Sequence, residues 1–588
     1  MRSKNRRSSD TSSAETLQDE SCEIQGYKME KRINVKDWGI YPNESDCSLK
    51  LRNLLDDNRQ EENVILEFET GEYHFYPDYA EECLLCVSNH DEDTIKRVAF
   101  NLTGYRGLQI QGNSSLFRFH TDILPFWCHD CAELELEGVR IDYARPAYSE
   151  GVVLEVTPER MRFGIDPERY PYHISHGRLY FTGENYCHEL TYWMEVDAER
   201  MGPIRRKPDF FFNQTYGGMG ASFAPVQEGV VEMTLTNGTF SPDSKPGNRL
   251  VLRHHPRNYP AVYVTDSRNV CFRDVAVCHC EGMAFTAQFT ENILLERFNV
   301  TRPPENDRVF SAAADATHFV YCKGKIHVKD CLMENQLDDP MNVHGIYFRI
   351  REVLSDREVI AELVHHQQKG VPLGYPKDRI AVINRETLLK KEEAALENVR
   401  VLNKDYCIVR FDRKMEQLQA MDVLENQSWV PDVLVEGCTF RNNRARGLLL
   451  TSAGEVTIRK NYFHVPGAAI LIEGDANNWF ESGATSHILL EDNCFDNCAY
   501  VSDWGKAPIQ VSARAEKLSG EERYHKCLEI RKNKFICFDE RLVNVKNLEK
   551  LIFEGNEIVK SSTFPPKEGR PFELEAVNDF VTDEREQE

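Results

Sequence analysis

An all-β chain, built as a right-handed parallel β-helix with two inserted antiparallel β-barrel-like domains, is the fold class this sequence predicts. Three observations carry that expectation. The first is an octad reading apolar, any, apolar, three mostly polar or small residues, any, apolar. It begins at Leu134, Val270, Ile293, Ile326, Val433, Val456, Ile488, Leu528 and Leu551. Its opening alternation is that of a strand with one buried face, not the period of about 3.6 residues that marks a helix. The second is spacing. Val270 to Ile293, Val433 to Val456 and Leu528 to Leu551 are each 23 residues apart, while other intervals are 32, 33 and 40. A fixed minimum with longer variants is what a coil of three short strands and expandable turns gives when stacked as a solenoid. The third is a column at the sixth octad position, with Asn461, Asn493, Asn533 and Asn556 following Cys331 and Cys438. Asn tolerates the left-handed conformation of a tight bend, and stacked amides can hydrogen-bond along the axis.

The elements follow in order. Residues 1–28 are polar and Ser-rich with a basic start and no apolar stretch, which reads as a disordered tail rather than a secretory signal. N-terminal coils occupy 29–144. Within them Ile33–Gly39 is a strand and turn, and Asp46–Asn58 is a capping helix with Leu49, Leu51, Leu54 and Leu55 apolar. Val64–Phe68 and Gly71–Phe75 make the first coil. A helix over the end shields open strand edges. The octad then lapses twice, for 136 residues after Leu134 and 107 after Ile326. Alternating strands fill both gaps, such as Gly151–Val156 and Gly229–Leu235, then Glu358–Leu363 and Arg379–Ile383. The divisions expected are an inserted β-domain at 145–250, β-helix coils with the candidate acids at 251–345, a second inserted β-domain at 346–430, C-terminal coils at 431–575, and a frayed acidic tail at 576–588. Inserted domains that lean over one face of a solenoid shape a pocket.

Composition narrows the partners. With 95 acidic and 71 basic side chains the chain carries a net charge of −24. That disfavours nucleic acid and acidic polysaccharides such as pectin, and leaves a neutral sugar as the easier ligand. No apolar run of about 18 residues is present, so no membrane span is expected. Without an export signal the expected location is cytoplasmic, the alternative being secretion with the signal removed. The 18 cysteines are scattered, several on strand or turn positions (Cys271, Cys331, Cys438, Cys494), as buried free thiols would be. Cys83/Cys86, Cys128/Cys131 and Cys278-His279-Cys280 have spacings that suit zinc, but they lie in strand-like apolar text rather than a compact knuckle, and no metal or cofactor is expected.

The chemistry concentrates in carboxylates. Asp338 and Asp339 are adjacent, and Asp315 lies 23 residues before Asp338, one coil length away. If the extra residues of the Ile293 coil fall in Thr301–Arg308, Asp315 and Asp338 share a column on neighbouring coils, about 4.8 Å apart. Asp339 would point elsewhere unless Pro340 bends the chain. Crowded carboxylates raise one another's pKa, which keeps a general acid protonated and is what glycoside hydrolysis requires. The bland alternative is a solvated Asp-Asp-Pro turn. Comparable offsets in later coils bring Arg444, Arg446, Glu473, Asp475, Trp479 and Glu481 to the same groove, with Arg253 and Asn342, where they suit a neutral sugar's hydroxyls and its apolar face. Trp479 would be a sugar platform or a loop packed on the solenoid. His318 and His344 would orient a carboxylate or, as is favoured, satisfy turns.

Five segments carry a likeness to a known family: Arg253-His254-His255-Pro256, Ala313-Ala314-Asp315-Ala316-Thr317-His318, Leu337-Asp338-Asp339-Pro340-Met341-Asn342-Val343-His344-Gly345, Asn443-Arg444-Ala445-Arg446-Gly447 and Trp479-Phe480-Glu481-Ser482-Gly483. There the chain resembles glycoside hydrolase family 110, the α-1,3-galactosidases, over roughly residues 30 to 565. The resemblance implies a β-helix with inserted β-barrel domains. It implies inverting, metal-independent exo-hydrolysis of terminal α-1,3-linked galactose from glycans such as the blood group B determinant. It also implies that Asp315, Asp338 and Asp339 are the catalytic residues, with acid and base undivided among them. The expected partner is then a galactose-terminated glycan, with no nucleic acid or membrane and a homodimer as the candidate assembly. The alternatives are a polygalacturonase-like hydrolase or lyase, which would want a basic groove, and a non-catalytic glycan-binding β-helix.

Overall fold

The computed structural model describes residues 30–91, 94–212 and 219–583. The expected tail at 1–28 and the last five residues of the acidic tail lie outside them. The chain forms a β-helix of three-strand coils whose strands belong to one continuous sheet of 33 strands. The octad supplies two of the three faces. Its opening alternation forms the first face, as in Arg268–Arg273, Glu291–Glu296 and Lys323–Lys329, paired in parallel with Val270 beside Ile293 and Ile293 beside Ile326. Its end forms the second face, as in Leu332–Glu334 and Thr439–Arg441. The third face comes from text between octads: Leu124–His129, Val262–Thr265, Phe285–Gln288, Thr317–Val320, Met341–Ile346 and Leu448–Leu450. One apolar cluster runs the length of the interior. Its backbone is a ring stack at the last octad position, where Phe440, Phe463, Phe495 and Phe535 follow at centroid spacings of 5.0, 5.1 and 4.9 Å, one per coil.

The asparagine column is a ladder. Asn461 donates to Asn493 at 3.0 Å, Asn493 to Asn533 at 2.9 Å and Asn533 to Asn556 at 3.1 Å. Each oxygen also accepts the backbone N–H of the Asn one coil before it, so buried turn amides that no strand could pair are satisfied. The left-handed residue is not the Asn, however. It is the one before it: Lys460, Asp492, Lys532 and Gly555 have φ of 57, 56, 54 and 66°. The side chain that must point inward to hydrogen-bond needs ordinary backbone geometry, and the bend is taken by its solvent-facing neighbour.

The helix Ser48–Asn58 caps the N-terminal end, burying Leu51, Leu54 and Leu55 while Leu49 is exposed. The expectation of a frayed tail from 576 is corrected in part. Phe572–Thr582 is a strand paired in parallel with Val543–Lys546 and Leu548–Phe553, with Phe572 and Phe580 stacked at the open end. The first inserted region leaves after Tyr143 and returns before Val262, that is, between the second and third faces. It contains an antiparallel sheet of seven strands and a smaller one of three. The second leaves after Ile346, at the other end of a third-face strand, and is a closed six-stranded barrel built from Phe348–Ser355 to Val423–Asn426. The insertions therefore stand on either side of the third face. Cys128 and Cys280 face the apolar interior and Cys131 donates to the Leu102 carbonyl, so these thiols pack the coil.

Candidate active site

Asp315 immediately precedes the third-face strand Thr317–Val320, and Asp338 and Asp339 precede Met341–Ile346. The two strands pair in parallel with Thr317 beside Met341, so the residue that stands next to Asp315 is Asp339 rather than Asp338. The amide of Ala316 accordingly donates to the Asp339 carbonyl at 2.9 Å. The expected column was one residue out of register, because this corner holds one residue more than the shortest coil. Asp338 occupies the extra position and turns into the cleft, its side chain 19% exposed against 7% for Asp315 and 3% for Asp339. All three still converge, one oxygen of each lying within 4.8 Å of the others.

Their surroundings differ. Asp338 accepts from Arg257 and Arg444 at 3.3 Å each. Burial pushes its carboxyl up, but Arg444, Arg257, Arg446 and Arg253 outweigh burial and hold it below the usual range. Arg444 is itself gripped by Asp209 of the first insertion, with N–O contacts of 2.9 to 3.1 Å. Asp339 takes the Arg446 side chain at 2.8 and 3.3 Å and the Arg446 amide at 2.7 Å. Here the partners pull apart. Burial pushes Asp339 up to about 7 against Arg446, while Asp339 holds the Arg446 guanidinium above its ordinary value. Three N–H donors on two oxygens, two of them a guanidinium's, favour the charged form, so the contacts hold Asp339 as a carboxylate. With guanidiniums on both oxygens of Asp338 and of Asp339, the cluster is organised by hydrogen bonds rather than as a cation cage.

Asp315 has no guanidinium. Burial, then the charge of Asp338, drives its carboxyl well above the ordinary value. Its Oδ2 lies 2.8 Å from His318 Nδ1, His318 Nε2 lies 2.8 Å from His344 Nε2, and His344 Nδ1 lies 2.7 Å from the Gly345 carbonyl. Both imidazoles are fully buried, and burial lowers both, His318 to about 4. His318 and His344, also expected among the sugar-binding residues, sit on strands and are hydrogen-bonded to the carboxyl and to each other, correcting the preference for turn roles. Asn342 donates to Glu481 at 3.4 Å, and Glu481 also stands 3.6 Å from His344 Nε2. Glu481 is carried by a short antiparallel pairing with Gly345 and Ile346.

The other expected residues divide. Arg253 is buried against the rings of Tyr192 and Tyr148 and donates to the Tyr148 hydroxyl and the Ala313 carbonyl. Asp475 is turned inward, accepting the amides of Asn477, Asn478 and Trp479, so it shapes the Trp479 loop instead of offering oxygens to sugar. Glu473 pairs with Arg514 at 3.1 Å. Trp479 is 36% exposed and lies against His365 of the second barrel at 4.6 Å. Sequence reasoning missed Arg257, Asp209, His365 and Asn89. Arg257 closely follows the Arg253-His254-His255-Pro256 segment, and that proximity was the one available signal. Asn89 donates to Glu481 at 3.0 Å, its amide donates to the Gln367 carbonyl, and the Ser88 amide donates to Gln288. Residues 88–91 therefore strap across the third face beside the acids.

The sequence profiles described as GLAA-B beta-barrel domain I and GLAA-B beta-barrel domain II match residues 149–250 and 358–424, and one described as a right handed beta helix region matches 392–569. Alpha-1,3-galactosidase A of Shewanella woodyi is 30% identical over 95% of this chain and 91% of that protein. Alpha-1,3-galactosidase B of Bacteroides thetaiotaomicron is 28% identical over 94% and 90%. Among solved structures, the A-module of the mannuronan C-5 epimerase AlgE4 of Azotobacter vinelandii covers 92% of this chain and 99% of its own at 9% identity, with a TM-score of 0.39, too low to bear on function. With an acid cluster placed between matched insertions and a relative aligned along nearly the whole chain, the protein belongs to glycoside hydrolase family 110, the family of the α-1,3-galactosidases A and B.

Proposed function

We propose that this glycoside hydrolase is an inverting exo-α-1,3-galactosidase in which Asp315 is the general acid and Asp338 the general base. The observation that carries the division is the direction of the hydrogen bonds behind Asp315. A carbonyl only accepts, so His344 Nδ1 carries the proton toward Gly345 and its Nε2 is the acceptor. His318 must then donate from Nε2, and with both imidazoles neutral its Nδ1 is an acceptor. The remaining partner, Asp315 Oδ2, is the donor and holds a proton. Asp338, ionised between Arg257 and Arg444, is the complementary base.

In this reading Asp315 gives its proton to the glycosidic oxygen as the bond to the anomeric carbon breaks. Asp338 removes a proton from a water attacking the opposite face, and galactose leaves as the β anomer. Asp339, fixed by Arg446, adds negative charge beside a developing oxocarbenium ion. The strap at 88–91 blocks one direction along the third face, which supports removal of a terminal sugar. Trp479 and His365 offer the next sugar a ring surface, and the names of the relatives support galactose in α-1,3 linkage. Proton NMR of the first turnover of Galα1-3Gal tests the proposal. β-Galactose is expected; initial α-galactose overturns inversion, and no release overturns the activity. Comparing kcat/KM on the fucosylated blood group B trisaccharide and on the linear disaccharide distinguishes a branched from a linear substrate.

A further inference from the structure

At the same corner of the coil as the catalytic acids, but on earlier coils, a second set of titratable groups meets. Asp122 precedes the third-face strand Leu124–His129, and Glu281 precedes Phe285–Gln288, the strand beside Thr317–Val320. His255 reaches the same point from the segment that returns from the first insertion. One ligand atom of each lies within 4.8 Å of the others. His255 Nε2 and Asp122 Oδ1 are 3.2 Å apart without the alignment of a hydrogen bond. Glu281 is 3% exposed, and its Oε2, like those two atoms, is buried with no hydrogen-bond partner among the described residues. Two carboxylates and an imidazole nitrogen converge without an aligned hydrogen bond among the described residues, and against burial Glu281 and then Asp122 raise the imidazole to about 9, so the point they share favours positive charge.

We propose that Asp122, His255 and Glu281 form a structural binding site for a divalent transition cation of the Zn2+ type, separate from the hydrolytic acids. His255 Nδ1 faces the Pro256 carbonyl at 3.2 Å and donates to it, so Nε2 is the atom turned to the two carboxylates, where a bound cation would take the place of its proton. A backbone acceptor behind the imidazole is the usual support of a metal-binding histidine. Tetrahedral zinc with bonds near 2.1 Å places neighbouring ligands about 3.4 Å apart, close to the 3.2 Å between His255 and Asp122. One imidazole with two carboxylates suits Zn2+ or Mn2+ better than Ca2+. Tyr186 and His188 of the first insertion flank the imidazole at ring distances of 5.1 and 4.6 Å, each with a buried polar atom lacking a protein hydrogen bond among the described residues. The nearby cation is Lys96, 5.1 Å over the Tyr259 ring. An ion here would tie the first insertion to the β-helix. It would also fix the run from Arg253 to Arg257, whose ends reach the Ala313 carbonyl and Asp338.

The test uses the full chain, stripped with a chelator, desalted and titrated with ZnCl2 alone. One equivalent of zinc per chain is expected to survive gel filtration, with a rise in thermal midpoint over the stripped protein. Glu281→Gln should abolish retention. Should that variant fail to fold, Asp122→Asn, at a half-exposed side chain, should weaken binding at least tenfold. Glu529→Gln is the control for the outer cluster of His487, Cys527 and Glu529, and should change nothing. No retained zinc in the wild type, or retention that survives both Asp122→Asn and Glu281→Gln, overturns the site.

Discussion

Replacing Asp315 by Asn separates its roles. The amide is nearly isosteric, and its N–H can donate to His318 Nδ1 as the carboxyl O–H does across 2.8 Å. What it cannot do is release a proton. Acid catalysis is worth roughly 10²–10⁴ in rate, or about 3–5 kcal/mol, so kcat on Galα1-3Gal should fall by that factor. On 2,4-dinitrophenyl α-galactoside, whose leaving group departs unprotonated, the loss should shrink to less than about tenfold. Stability should move the other way. Burial and Asp338 raise the Asp315 carboxyl well above its ordinary 3.8. Between those values the folded chain holds a proton that the unfolded chain releases, so this group's contribution to stability falls as pH rises through the window. The cost grows with each pH unit of that window. Asp315→Asn removes that cost, so its thermal midpoint at pH 7 should exceed the wild type's. The assay is a pair of initial-rate series and a melt of both proteins at pH 5 and 7. An equal rate loss on both substrates, together with a lower midpoint, would refute the assignment of the acid.

Arg257→Gln should move the acid limb of kcat/KM to higher pH, because Asp338 must be ionised and loses one of the charges that hold it so; an unmoved limb in a pH–rate series would remove Asp338 as the base. Asn493→Ala deletes the hydrogen bonds donated to the Ile458 carbonyl and Asn533 and those accepted from the side-chain and backbone N–H of Asn461. At about 1 kcal/mol each it should cost about 4 kcal/mol in urea unfolding, and a loss below about 1 kcal/mol would contradict the ladder's role. Buried His90, His279 and His525 are lowered to about 3 and His318 to about 4, from 6.5. At these four sites the unfolded chain takes up protons first as pH falls below 6.5, so their contribution to stability drops between 6.5 and 4, opposing the gain from Asp315. In Asp315→Asn, where that gain is absent, the thermal midpoint should fall across the range, and a flat midpoint would contradict it.

The solenoid was legible because its signal is repeated. A two-residue alternation recurring at coil spacing cannot be mistaken for a helix face, and the Asn column declares its turn in four successive coils. The acids were legible as residues but not as neighbours. Their register depends on one extra residue at a corner, and the octad does not extend to the third face. His318 follows Asp315 by three residues, so its proximity was visible, but its direction depends on His344 in the next coil. Arg257 and Asp209 left almost no trace. Arg444 meets Asp209 across 235 residues of sequence, and nothing periodic links an inserted sheet to the coil it covers. Asp475 looked like a ligand because it is acidic and near Trp479, yet an Asp before a tight loop serves the amides of that loop first.

The insertions are more than walls, because the charge of Asp338, the proposed base, is set partly from outside the β-helix. Asp209, Arg444, Asp338, Arg257 and Asp91 form an alternating chain of charges from the first insertion, through the cleft, to the N-terminal strap, where Asp91 stands 3.9 Å from the Arg257 guanidinium and accepts its backbone N–H. Asp338 at its centre has two guanidiniums, each shared with another carboxylate. Without Asp209 or Asp91, an arginine would be free to close fully on Asp338 and compete with water for its lone pairs. With them, both contacts are held at 3.3 Å, long for a charge-assisted bond. The base is thereby kept ionised without being consumed in an ion pair. The acid receives the opposite treatment: Asp315 is placed one step behind, among alanines and neutral imidazoles, where burial retains its proton. Two carboxyls of opposite inclination can stand within 4.8 Å because burial prevails at Asp315, while arginines gripped by two outlying segments prevail at Asp338.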